Sequence, residues 1–285
     1  MSRILVTGAN GQLGSEIREL ESVYGQYTFF FTDIHNLDLT DHEGVKSFIT
    51  DNNIEVIINC AAYTAVDKAE AEPDVANAIN HLVVKNLAEI AKANKIKLIH
   101  ISTDYVFDGT KDTPYTETDT PNPQSVYGLT KLKGEQVMQA INPANSIIIR
   151  TSWVYSGYGN NFVKTMLRLG MERDELNVVA DQVGSPTYAG DLAKAILQIL
   201  PQIKNKIVEL YHYANAGTCN WHEFAKAIFK IKGLNVKVKP ITTKDYPTPA
   251  KRPMYSVMDT NKIRKQYGVN GPQWERSLED CLQQL

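Results

Sequence analysis

Residues 4–14 read ILVTGANGQLG. Ile4-Leu5-Val6 has the look of a short buried strand. Gly8, Gly11 and Gly14 follow it in a G-x-x-G-x-x-G spacing, and an amphipathic stretch begins at Gln12. Glycine permits a tight turn and lets backbone lie close to a pyrophosphate. The helix that follows points free N–H groups at negative charge. Strand, glycine turn and helix in that order predict a dinucleotide cradle at the start of the chain.

Working outward, the same alternation continues. Strands are predicted at 28–32 (TFFFT), 56–58, 97–101 (KLIHI) and 146–149 (SIII). Helices are predicted at 42–51, 74–93 and about 125–141. The 74–93 stretch carries Val75, Ile79, Leu82, Val83, Leu87 and Ile90 at helical spacing. Strands separated by helices imply right-handed βαβ crossovers, hence an α/β fold with a parallel, doubly wound sheet. After about residue 155 the pattern loosens. Glycines at 157, 159, 170, 184 and 190 and prolines at 240, 247, 249 and 253 punctuate it, with helices still predicted at 191–200 and 221–231. The reading divides the chain into 1–155, a dinucleotide-binding unit continuing in part into later segments, and 156–285, mainly a smaller C-terminal substrate-binding lobe.

Composition narrows the function classes. The chain has 285 residues, 43% apolar and 22% charged, with a net charge of −2. That is globular composition, and it lacks the basic excess of a nucleic-acid binder. Cys60, Cys219 and Cys281 form no CxxC pair, so no disulfide framework or zinc ribbon is predicted. No leader-like or membrane-length apolar run is visible, and the six histidines include no H-E-x-x-H pair. The expectation is a soluble, cytoplasmic protein with no metal, no membrane and no nucleic-acid partner.

Other residues fall where ligands bind, at the carboxyl ends of strands. Asp33 closes the second strand, nineteen residues past Gly14. A carboxylate there accepts both ribose hydroxyls and repels a 2′-phosphate, at a cost of about 4 kcal/mol for like charges ~4 Å apart at an effective dielectric of about 20. On this ground Asp33 favours NADH. Asp38-Leu39 follows it closely, and Ala62-Tyr63-Thr64 follows the third strand. Tyr127 and Lys131 form an i,i+4 pair on one helix face. A phenol with a reference pKa near 10 shuttles protons poorly at neutral pH, and a neighbouring ammonium lowers it. Thr103, after the fourth strand, can hold a carbonyl oxygen beside the Tyr127 hydroxyl.

Thr103, Tyr127 and Lys131 in this order, with the glycine turn, resemble the extended branch of the short-chain dehydrogenase/reductase superfamily, whose Rossmann-type members act mainly on nucleotide sugars. The blocks ISTDYVFDG (101–109), VYGLTKLKGE (126–135), RTSWVYSGYGNNF (150–162) and YPTPAKRP (246–253) are similar to those of the dTDP-4-dehydrorhamnose reductases over essentially the whole chain. The resemblance implies reduction of the 4-keto group of dTDP-4-dehydro-L-rhamnose by NADPH, sometimes NADH. It implies Tyr127 as proton donor, Lys131 as ribose ligand and tuner of the tyrosine, and Thr103 as helper at the 4-oxygen. It further implies that Thr103-Asp104 and Trp153 contact the sugar, and that Gly11-Gln12-Leu13, Asp33, Asp38-Leu39 and Ala62-Tyr63-Thr64 contact the dinucleotide. Arg252 is assigned a diphosphate contact. Some members dimerise through magnesium held by interface glutamates. This chain has Glu16 but Gly190-Asp191 near the place of another, so neither that metal nor that dimer is expected, and the state is monomer or homodimer. Three other readings stand beside this one. A 4,6-dehydratase needs a glutamate where Tyr105 stands. A non-catalytic NADP-binding regulatory subunit, like that of methionine adenosyltransferase, would not need Tyr127 and Lys131. The third is a reductase of another nucleotide 4-ketosugar.

Overall fold

The computed structural model describes residues 2–285. The first half contains β1 (Ser2–Thr7), α1 (Gln12–Glu19), β2 (Tyr27–Thr32), α2 (His42–Asp51), β3 (Val56–Asn59), α3 (Val66–Ala69), α4 (Pro73–Asn77), α5 (Val83–Asn94), β4 (Lys97–Thr103), α6 (Val126–Ile141) and β5 (Ile147–Thr151). The second half contains β6 (Val154–Tyr155), α7 (Phe162–Glu172), β7 (Glu175–Val179), β8 (Val183–Gly184), β9 (Thr187–Tyr188), α8 (Ala189–Ile199), β10 (Glu209–His212), β11 (Cys219–Asn220), α9 (Trp221–Lys232), β12 (Lys237–Ile241), α10 (Asn261–Tyr267) and α11 (Trp274–Leu282).

Six strands form one parallel sheet in the order β10-β5-β4-β3-β1-β2. The chain steps from β1 outward to β2, then returns to place β3 on the other side of β1. Strand order therefore reverses between β1 and β3, which opens a crevice at their carboxyl ends.

Residue alternation along the strands loads both faces. Leu5, Ile57, Leu98, Ile148 and Leu210 pack under α2, α5 and α6, against Val45, Ile49, Leu87, Ile90 and Met138. Ile4, Val6, Ile58, Ile99 and Ile149 pack under α1, α8 and α10, against Ile17, Leu192, Ile196, Ile263 and Tyr267. The chain thus returns to the sheet after residue 155, with α8 and α10 in one helical layer and β10 as an edge strand. A separate core joins α7, α9 and α11 through Val163, Met166, Phe224, Ile228, Leu278 and Leu282.

The stretch expected as one helix over 74–93 is helical throughout but wound differently. Residues Ala78–Leu82 form a π-helical turn between α4 and α5. Such a turn inserts extra backbone into the helix and re-aims side chains, here that of Asn80.

Gly8 and Gly14 are both required by contacts. Gly8 has φ of +62°, and a Cβ there would sit 2.7 Å from the Ala61 amide nitrogen. A Cβ on Gly14 would sit 2.5 Å from both Ala9 Cα and the Gly8 carbonyl oxygen. All of these are backbone atoms that cannot swing away. Gly14→Ala is therefore expected to lower the unfolding free energy by about 1–3 kcal/mol, read from the urea midpoint. A wild-type midpoint would mean that the turn has room the geometry denies.

Candidate active site

The crevice is a cleft of about 760 Å³ that runs from the glycine turn past the ends of β1, β3 and β4 to the C-terminal lobe. Behind Thr7 on its wall lies a buried polar layer. Thr7, Asn59 and His100 lie in register on adjacent strands. Thr7 Oγ1 donates to Asn59 Oδ1 at 2.7 Å, and Asn59 Nδ2 lies 3.1 Å from His100 Nδ1. Burial, then the charge of Lys131, holds His100 well below the usual histidine pKa, so it is neutral.

At one end Gly8, Gly11, Gln12 and Leu13 line the cleft, with Asp33, Asp38 and Leu39 on the rim beyond them. Asp33 Oδ2 accepts the Asn10 amide at 3.1 Å and Oδ1 the Ile34 amide at 2.8 Å. The carboxylate is thereby fixed beside the turn. Asp38 Oδ1 accepts the Thr40 hydroxyl and amide, which lowers its pKa. Gly14 does not line the cleft; its part is the close helix–turn packing described above. The close Gly8–Ala61 approach and the open N-terminus of α1 leave space and donors that fit a dinucleotide pyrophosphate.

Ala62, Tyr63 and Thr64 form the adjoining wall. Asn80 holds that wall. Its Oδ1 accepts the Tyr63 amide at 2.9 Å, and its Nδ2 donates to the Tyr63 carbonyl at 3.1 Å and to Thr130 Oγ1 at 3.2 Å. Sequence reasoning missed Asn80. The available signal was a polar residue on the apolar stripe of the 74–93 helix.

Thr103, Asp104, Tyr127 and Lys131 meet at the middle of the cleft. Ser125 caps α6 by accepting the Gly128 amide at 3.2 Å, so the helix begins just before Tyr127. Thr103 Oγ1 donates to Asp104 Oδ1 at 3.1 Å and accepts the Tyr105 amide at 3.2 Å. The Tyr105 ring meets Tyr127 edge-on, with centroids 5.4 Å apart. Burial pushes Asp104 up to about 6, opposed by the Ser256 and Thr103 hydroxyls. Lys131 Nζ donates to the Ile101 carbonyl at 2.6 Å. Burial brings its pKa down to about 8, opposed by the Glu135 charge.

In the cleft, burial pushes Tyr127 up to about 12, with the Thr103 hydroxyl opposing and the Asp104 charge adding to the rise. Lys131 is turned onto Ile101 and answers to Glu135. The phenol therefore holds its proton across the neutral range, as a proton donor must.

The C-terminal lobe closes the other end. Trp153 lines the cleft, as expected, together with Trp221, Asn160 and Asn161, which sequence reasoning missed. Asn161 Nδ2 donates to Gln12 Oε1 at 3.0 Å, and Gln12 Nε2 donates to the Val154 carbonyl at 3.4 Å, so lobe and glycine turn are pinned together. Arg252 is not part of the lining. Its guanidinium grips Asp67 bidentately at 3.0 and 2.7 Å, so the fork expected to meet a diphosphate is taken by a carboxylate.

A second cavity of about 390 Å³ is lined by Glu16, Glu19, Tyr158, Tyr188, Lys194 and Gln284. Burial raises the Glu16 pKa, Tyr188 donates to it at 3.3 Å, and Lys194 brings a positive charge. Among the described residues, no group of three His, Cys, Asp or Glu side chains is placed to hold a metal ion, and no helix is long and apolar enough to cross a membrane.

Comparison with known proteins agrees with this geometry. The family model described as the RmlD substrate binding domain matches residues 1–285. A dTDP-4-dehydrorhamnose reductase of Aggregatibacter actinomycetemcomitans is 44% identical over 289 residues, covering 98% of each chain. A crystal structure of a dTDP-4-dehydrorhamnose reductase from Clostridium acetobutylicum superposes with a TM-score of 0.93 at 44% identity, covering 99% of this chain and 98% of that one. The Bacillus anthracis enzyme of the same name, solved in complex with NADP, gives 0.95 at 41% identity and full coverage of both chains. With matches of this extent, and with Thr103, Tyr127 and Lys131 gathered at one cleft, the chain belongs to the dTDP-4-dehydrorhamnose reductase family.

Proposed function

We propose that this chain reduces the 4-keto group of dTDP-4-dehydro-L-rhamnose to give dTDP-L-rhamnose, with NADPH as donor and NADH as an alternative. The observation that carries the reading is the meeting of Thr103, Tyr127 and Lys131 at the midpoint of a cleft that starts at the glycine turn. When bound there, the nicotinamide supplies hydride to the sugar C4. Tyr127 holds the proton that the developing C4 oxygen takes up, and Thr103 steadies the same oxygen. Lys131 offers its ammonium to ribose hydroxyls, while Asp104 accepts a sugar hydroxyl. The complex of the Bacillus anthracis relative with NADP supports the choice of NADPH. Tyr105 argues against a dehydratase, since burial raises its phenol pKa and removes it as a base.

In this reading residues 1–155, with later segments that return to the sheet, bind the dinucleotide, and most of 156–285 binds the sugar nucleotide. The partner is a soluble nucleotide sugar and the place of work is the cytoplasm. The net charge of −2 gives no reason to add nucleic acid. The chain works as a monomer or homodimer.

Three outcomes test the reading in assays of NAD(P)H oxidation with dTDP-4-dehydro-L-rhamnose. Tyr127→Phe should lower kcat by about 10²–10⁴ with NADPH affinity little changed; near-normal turnover would remove Tyr127 as donor. The pH profile of kcat/KM should rise as Asp104 ionises through about 6 and fall as Lys131 loses its proton through about 8. An Asp104→Asn profile that keeps its acid limb would unseat that assignment. Asp33→Asn should raise the NADPH-to-NADH preference by about tenfold, which is about 1.4 kcal/mol, or roughly a third of the ~4 kcal/mol between like charges ~4 Å apart at an effective dielectric of about 20. An unchanged ratio would place the 2′ position away from Asp33.

A further inference from the structure

Trp153 has φ of +48°, in the left-handed region that bulky residues avoid. Such a conformation persists where its surroundings over-determine it. The indole lies flat on that of Trp221, with centroids 3.6 Å apart and planes within 8°. Two aromatic rings left to themselves prefer an offset or edge-on contact, so this overlap is kept by the anchoring of both rings, each serving as a stop for the other.

The constraints are visible. Gly184 approaches so closely that a Cβ there would sit 2.5 Å from Trp153 Cε2 and 2.8 Å from Nε1. The Trp153 carbonyl accepts the Thr187 amide at 3.2 Å, which fixes its backbone from the neighbouring strand. Trp221 is held in turn at the start of α9. Its Nε1 donates to buried Gln182 at 3.1 Å, and Phe162 packs on its ring at 4.6 Å. Gln182 itself is tied through Nε2 to Thr243 Oγ1 at 3.0 Å. Both indoles line the cleft.

We propose that Trp221 is a positioning residue: it holds Trp153 in its strained pose, so that the two indoles form one rigid wall of the sugar site, and this wall favours a nucleotide sugar with a methyl at C5 over one with a hydroxymethyl. The proposal rests on the reductase reading above. The Trp221 N–H is committed to Gln182, so the Trp221 part of the wall offers carbon. A hydroxyl pressed against it leaves water without gaining a partner, whereas a methyl gains from burial.

The test uses the full-length protein with Trp221→Leu and the milder Trp221→Phe. Stacked indoles give an exciton couplet in circular dichroism, and both variants should lose it while keeping the thermal transition. Trp221→Leu should raise KM for dTDP-4-dehydro-L-rhamnose about tenfold, with kcat and NADPH affinity little moved. Calorimetry should show the wild type binding dTDP-L-rhamnose at least about tenfold tighter than dTDP-L-mannose, which differs by the 6-hydroxyl alone. That ratio should fall toward one in Trp221→Leu. A folded variant that loses the couplet yet keeps KM and the ratio overturns the proposal. So does a wild-type ratio near one, whether or not the variants fold. If the wild type reduces no ketosugar but its rhamnose-to-mannose ratio depends on Trp221, the activity reading fails and the wall stands.

Discussion

The placement of α6, which carries Tyr127 and Lys131, depends on a buried carboxylate. Glu135 on α6 accepts Arg150 of β5 through Nε at 2.9 Å and Nη2 at 2.6 Å, and it accepts the Ser102 hydroxyl of β4 as well. Both charged side chains are about 2% exposed. Such a pair adds little net stability, because desolvation takes back much of the Coulomb gain. What it does supply is register. A one-residue slide of α6 would strand a charge in the core. Lys131 stands one turn up from Glu135 and Tyr127 two turns up, about 6 and 12 Å along the axis on nearly the same face. Gripping Glu135 therefore sets the heights of both above the carboxyl edge of the sheet.

The same low-dielectric layer explains the proton states. Glu135 keeps Lys131 chargeable despite burial, which would otherwise carry its pKa further down than about 8. For Tyr127 burial dominates, with the Thr103 hydroxyl opposing, and the phenol is pushed up to about 12. Asp104 sits at about 6, poised between forms. Three groups at one site titrate in separate windows because each meets a different balance of burial, charge and hydrogen bonding. The neutral His100 beneath them adds no second positive charge to compete with the ammonium.

Much of this was legible in the sequence because it is local. The ILV run, the three glycines and the strand–helix alternation each report a short-range requirement, and β1 to β5 lie where those patterns predicted them. Thr103, Tyr127 and Lys131 were legible because helical spacing and the position after a strand are local too. What escaped depends on partners far along the chain. β10 is four residues long, and its place beside β5 comes from pairing with residues about 60 positions earlier. The π-helical turn follows no apolar pattern; it goes with the bonds Asn80 makes to Tyr63 and Thr130. Arg252 reads as a free cation in sequence, and its pairing with Asp67, 185 residues away, could not be read there. The burial that dominates the Tyr127 phenol is likewise a product of the assembled fold, and an i,i+4 spacing does not report it.

The cleft is a joint product of two packing units, and that bears on how it works. The sheet supplies the glycine turn, Thr103 and the α6 pair, while the later chain supplies Trp153, Trp221 and Asn161. Gln12–Asn161 and Gln12–Val154 join the units at the glycine turn. Asp67 joins them elsewhere, through Arg252 and through the Ala250 amide, which it accepts at 3.2 Å. A hydride step gains most when donor and acceptor carbons are held in one geometry, because the orientational entropy is lost before reaction rather than during it. These links tie the two packing units together at both places and resist their relative motion. The geometry between the glycine turn and the aromatic wall of the cleft is then a property of the scaffold, set by links far apart in the chain.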